Sequence, residues 1–131
     1  MSDAAALLTG FRVVQVGGGP AAAVCGRMLA DLGATVTMMH AAPPDGALAA
    51  WLDHGKARAD GAAAATVFAD ADLIVCEGGP AALRRAGHDP DSLRAAAPDA
   101  AIVAISPFGQ TGPKADDPAT DLTLFCTAGI A

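Results

Sequence analysis

The sequence predicts an α/β domain, an open sheet of about four parallel strands flanked by helices, and three observations carry that expectation. First, four short runs rich in apolar and β-branched residues recur along the chain: "FRVVQV" from Phe11, "ATVTMM" from Ala34, "DLIVC" from Asp72 and "AIVAIS" from Ala101. Second, segments with helical patterning separate these runs, and that alternation is the signature of a parallel sheet. Third, the first two runs flank a tight turn and an amphipathic helix within about 30 residues, a βαβ unit whose crossover makes its strands parallel and its hand right. A chain of 131 residues is one domain, 1–131, with no internal repeat and no linker to divide it.

Each connecting element has a local reason. In "AAAVCGRMLADL", Ala21, Val24, Cys25, Met28 and Leu32 fall on one face, Arg27 and Asp31 lie away from it, and Gly33 supplies a left-handed stop. Between residues 41 and 71, "AAPPDG" reads as a loop, "ALAAWLDHG" as a short helix that Trp51 anchors, and "ADGAAAATVFADA" as an alanine-rich helix. "PAALRRAG" forms a short helix after the third strand. "DPDSLRAAAP" places Asp89 as a cap, Pro90 at the first helical position and Pro98 beyond the end.

Composition narrows the partners. The chain is 53% hydrophobic and 17% charged with a formal charge of -6, and its eight basic residues are scattered, which argues against nucleic acid or an anionic membrane. No apolar run approaches the roughly 20 residues that cross a bilayer, and "MSDAAALLTG" lacks the pattern of a signal peptide, so a cytoplasmic protein is expected. Cys25, Cys76 and Cys126 are far apart in apolar stretches, without metal-ligand spacing, and read as buried free thiols; no metal site is expected.

The turn "GGGPAAAVCG" satisfies G-x-G-x-x-[G/A] through Gly17, Gly19 and Ala22, between a strand and a helix, where a pyrophosphate would meet backbone N–H groups and a positive helix end. The acid that should end the second strand and hold a ribose is missing: Thr37, Met38, Met39 and His40 stand there, with no Arg for a 2′-phosphate. An NAD or FAD dinucleotide-binding module is therefore the weakest of three readings.

Three stretches resemble the N-terminal region of the family III CoA-transferases, the CaiB/BaiF family. They are "GFRVVQV…RMLADLGATV", "ADLIVCEGGPAALRRAGHDPDSLRAAAPDAAIVAIS" and "PFGQTGPKADDPATDLTLFCTAGI"; "WLDHGKARA" is a weaker fourth. "FGQTGP" followed by Pro118, Asp121 and Gly129 is the most specific of them. The likeness implies a Rossmann-like domain, a CoA thioester as substrate rather than a permanently bound cofactor, and transfer of CoA between an acyl-CoA and a carboxylic acid. It further implies an Asp nucleophile that aligns with no residue here, so no catalytic residue is assigned.

By the same resemblance, Gly55 and Lys56 stand at an anion-binding motif, Gly109 and Gly112 shape a loop from Phe108 to Pro113 able to form an anion nest, and Asp121 belongs to a P-x-x-D motif beside the site. Other family positions differ. Gly78 and Gly79 replace a Phe and an Arg, Asp53 and His54 precede Gly55 where the family has an Arg, and Thr120 stands where a racemase branch would have His. His40 and His54 have no evident acid–base partner. The leading expectation is a CoA-transferase-like domain that binds acyl-CoA, as a homodimer or with the rest of a CoA-transferase. The second is a non-catalytic assembly domain with a decayed CoA pocket.

Overall fold

The computed structural model describes residues 6–39, 45–61 and 63–130. The order of elements is β1 (Arg12–Val16), α1 (Pro20–Asp31), β2 (Thr35–Met39), α2 (Gly46–Asp53), β3 (Ala57–Arg58), α3 (Ala64–Ala69), β4 (Leu73–Glu77), α4 (Pro80–Ala86), α5 (Pro90–Ala96), β5 (Ala101–Ile105) and α6 (Asp121–Thr127). All strands are parallel, in the order β3-β2-β1-β4-β5. The chain runs outward from β1 through β2 to β3, then returns to lay β4 and β5 on the other side of β1. The order therefore reverses between the carboxyl ends of β1 and β4, the place where open α/β sheets bind ligands.

β1 is central and buried along four of its five residues, Val13, Val14, Gln15 and Val16, so both faces of the strand are covered. On one face, Val13, Val36 and Val75 pack with Ala22 of α1; on the other, Val14, Val16, Ile74 and Cys76 pack with Phe68, Leu83 and Leu93 from α3, α4 and α5. Full burial of each such Val or Leu contributes about 1.5–3 kcal/mol. The Asp89 cap forms: its carboxylate accepts from the Ser92 backbone N–H at 3.2 Å and from Ser92 Oγ at 2.7 Å.

Several details differ from expectation. The sheet has five strands, because Ala57 and Arg58 pair with Thr37 and Met38; two residues are too few for any periodicity to reveal. The alanine-rich helix shrinks to six residues, Ala64–Ala69. Only Cys76 is fully buried, Cys25 is half-buried and Cys126 is exposed. Trp51 is exposed as well, and it anchors α2 through the Arg27 guanidinium, 5.2 Å above its ring.

The apolar face of α1 points the other way. Val24, Met28 and Leu32 are 44%, 62% and 44% exposed, whereas Ala22, Ala23 and Gly26 are buried against the sheet. Small residues win that face because the helix approaches β1 closely. A Cβ on Gly26 would overlap Oε1 of Gln15 and lie 3.1 Å from Lys56 Nζ.

Candidate functional site

Three groups of residues stand around the carboxyl edge of the sheet. The first is the glycine turn between β1 and α1. Gly17 adopts φ +93°, which an L side chain rarely takes, and turns the chain so that Pro20 opens α1 at its first position. Here the fold departs from a nucleotide-binding turn. Glu77, the last residue of β4, reaches across the switch point and its Oε2 accepts the Ala22 backbone N–H at 2.7 Å. A Cβ on Gly19 would overlap the whole Glu77 carboxylate. One of the first N–H groups of the helix, which has no partner within the helix, is thus satisfied by the protein's own carboxylate.

The second group lies under α1. Lys56 Nζ donates to Gln15 Oε1 and to the Ala23 carbonyl oxygen, both at 2.8 Å. Gln15 is only 1% exposed, so without this donor its amide oxygen would be a buried acceptor left unpaired. Burial pushes the Lys56 ammonium below its usual range, with Asp53 acting in the opposite sense. Gly55, at φ +78°, forms the turn that delivers Lys56 to this place. Nearby, Asp53 accepts from Arg58 at 2.7 Å, so its carboxylate is neutralised by a cation five residues on. Arg27 pairs with Asp31 and donates to the carbonyls of Trp51 and His54, tying α1 to the end of α2. His40 lies outside the described residues.

The third group follows β5. Gly109 and Gly112 adopt φ +86° and +103°, and between them Gln110 Nε2 donates to the Gly78 carbonyl at 3.0 Å. Asp116 from the same loop accepts the Ala81 backbone N–H at 2.8 Å and so covers the start of α4. Gln110 Oε1 and Ser106 Oγ are buried without a protein partner among the described residues. Asp121 is exposed in the first turn of α6, behind a Thr120 cap that accepts from the Thr123 N–H. Gly55 and Lys56 sit at the β3 edge, and Gly109, Gly112 and Asp121 beyond the β5 edge. The fold does not gather the five into one cluster.

A cavity of about 570 Å³ opens at the carboxyl ends of β2 and β3. Met39, Arg58, Ala59, Asp60, Ala64 and His88 line it, and the His88 ring sits 6.0 Å from that of Phe68. Its volume is within the range of small-molecule sites. Arg58 and His88 are functional candidates that sequence reasoning missed. The one available signal was Arg58 within "GKARA", two residues past the motif that drew attention to Lys56. No group of residues suited to a metal ion is found among the described residues. Among the described residues, no helix is long and apolar enough to cross a membrane.

The family model described as CoA-transferase family III matches residues 48–131. Among solved structures, a CaiB/BaiF family protein from Brucella suis superposes with a TM-score of 0.76 at 25% identity, covering 94% of this chain and 39% of that one. The Mycobacterium tuberculosis protein Rv3272 superposes with a TM-score of 0.75 at 24% identity, covering 94% of this chain and 41% of that one. The chain thus spans about two fifths of the length of the structures it matches. No curated protein sequence matches it.

Proposed function

The chain belongs to CoA-transferase family III, and from that premise we propose that residues 1–131 form the part of a CoA-transferase that holds the nucleotide end of an acyl-CoA. The observation that carries this reading is the cavity at the ends of β2 and β3, which joins an apolar wall at Met39 and Ala64 to the guanidinium of Arg58, itself paired with Asp53, and to the imidazole of His88, with the Asp60 carboxylate also in the lining. An adenine ring would lie against the apolar wall, and a phosphate would meet the guanidinium, whose planar fork matches its oxygens. The matched region from 48 to 131 contains every lining residue but Met39.

In this reading Gly55 and Lys56 serve the site from beneath, by fixing the turn that places Arg58. Gly109, Gly112 and Asp121 shape the loop beyond β5. No residue of 1–131 is assigned as the nucleophilic carboxylate that would take the acyl group from the thioester in such a transfer. Calorimetric titration with CoA tests the proposal. Saturable binding is expected, weakened about tenfold or more in Arg58→Ala by loss of a charge-assisted contact. Equal affinity in wild type and variant contradicts it.

One observation favours the assembly reading as a second role. The outward face of α1, with Val24 and Met28, and Leu32 just after the helix, forms an exposed apolar surface on a small domain. Surfaces of this kind mark protein contacts, and a homodimer or the rest of a CoA-transferase would cover it.

A further inference from the structure

We propose that Glu77 determines what the switch point between β1 and β4 accepts: its carboxylate takes the seat a phosphate would take in the glycine turn and keeps anionic groups out. The inference does not rest on the CoA reading. Two features of the turn carry it. The Ala22 N–H, which in a nucleotide-binding turn would be available to a phosphate oxygen, donates to Glu77 Oε2 at 2.7 Å. Gly19, whose missing side chain would let a pyrophosphate approach the backbone, instead makes room for the Glu77 carboxyl carbon and both its oxygens.

The main chain of β4 closes the seat from the other side, because a Cβ on Gly17 would come within 3.1 Å of the Glu77 carbonyl oxygen. A carboxylate at this place also neutralises the positive end of α1, so an incoming anion would meet a like charge and find the Ala22 N–H already taken. Lys56 offers no rescue, since its ammonium is turned under the helix toward Gln15 and Ala23. The G-x-G-x-x-A pattern is therefore complete in sequence and filled in structure. A single residue 55 positions away from Ala22 fills it.

The experiment is a titration of ¹⁵N-labelled protein with inorganic pyrophosphate at constant ionic strength, followed at the backbone amides of Gly19, Ala21 and Ala22. In the wild type these amides are expected to stay still. In Glu77→Ala they should shift in a saturable way, with affinity at the turn raised about tenfold or more. Glu77→Gln keeps an oxygen for the Ala22 N–H but has no charge, and decides the matter should the alanine variant not fold; it too is expected to gain a saturable shift, smaller than that of Glu77→Ala.

Turn amides that move in the wild type overturn the proposal, as do turn amides that stay still in the folded variant. Shifts at Ala59, Gly61 and His88 report on the CoA cavity and are read separately, so failure of one reading does not mimic failure of the other.

Discussion

At the scale of single residues, Lys56 shows how a functional motif can be used by the fold. Its position invites a phosphate contact, yet its ammonium donates to Gln15 Oε1 and the Ala23 carbonyl beneath α1. Lys56→Met would leave both acceptors without their donor. The expected loss is about 1–3 kcal/mol in a denaturant titration, most of which should be recovered in the double variant Gln15→Leu, Lys56→Met because that change removes the buried acceptor too. A single variant as stable as the wild type would show that the lysine bears no such load. None of this was legible in the sequence, because Gln15 and Lys56 are 41 positions apart and neither looks unusual in its own segment. Glu77 was equally hidden, being an ordinary strand-ending acid until the sheet order places it across from Gly19.

At the scale of elements, the four longer strands, the helix after the glycine turn and the Asp89 cap were all readable, since each depends on residues close in sequence. β3 was not, because Ala57 and Arg58 become a strand only by pairing with β2. The orientation of α1 was misread for a physical reason. Hydrophobic periodicity selects the larger residues Val24, Met28 and Leu32, but close packing on β1 selects Ala22, Ala23 and Gly26.

Gly26→Ala tests that packing. At an unhindered helix interior this change stabilises by about 0.5–1 kcal/mol. Here the new methyl would overlap Gln15 Oε1, which the Lys56 ammonium holds in place, so a loss of about 1–3 kcal/mol in thermal or chemical denaturation is expected. A gain would mean that α1 is not seated as closely as described.

At the scale of the whole molecule, the two sides of the domain divide the work proposed for it. One side of the sheet's carboxyl edge carries the cavity of Arg58 and His88, and the outward face of α1 carries the apolar surface. If that surface mediates assembly, sedimentation should show association that deepens with concentration and is abolished in Met28→Glu. A wild type that stays monomeric throughout would contradict the homodimer.

The family was legible because its motifs are contiguous, as in "FGQTGP"; the cavity was not, because its lining comes from the end of β2, the end of β3, the start of α3 and the second residue after α4. The most direct measurement of the central claim is an amide chemical-shift map of the labelled protein with CoA. Saturable shifts at Met39, Ala59, Gly61, Ala64 and His88, with Gly18, Gly19 and Ala22 unmoved, are the predicted result. Shifts centred on the glycine turn, or none at the cavity under saturating CoA, would contradict it.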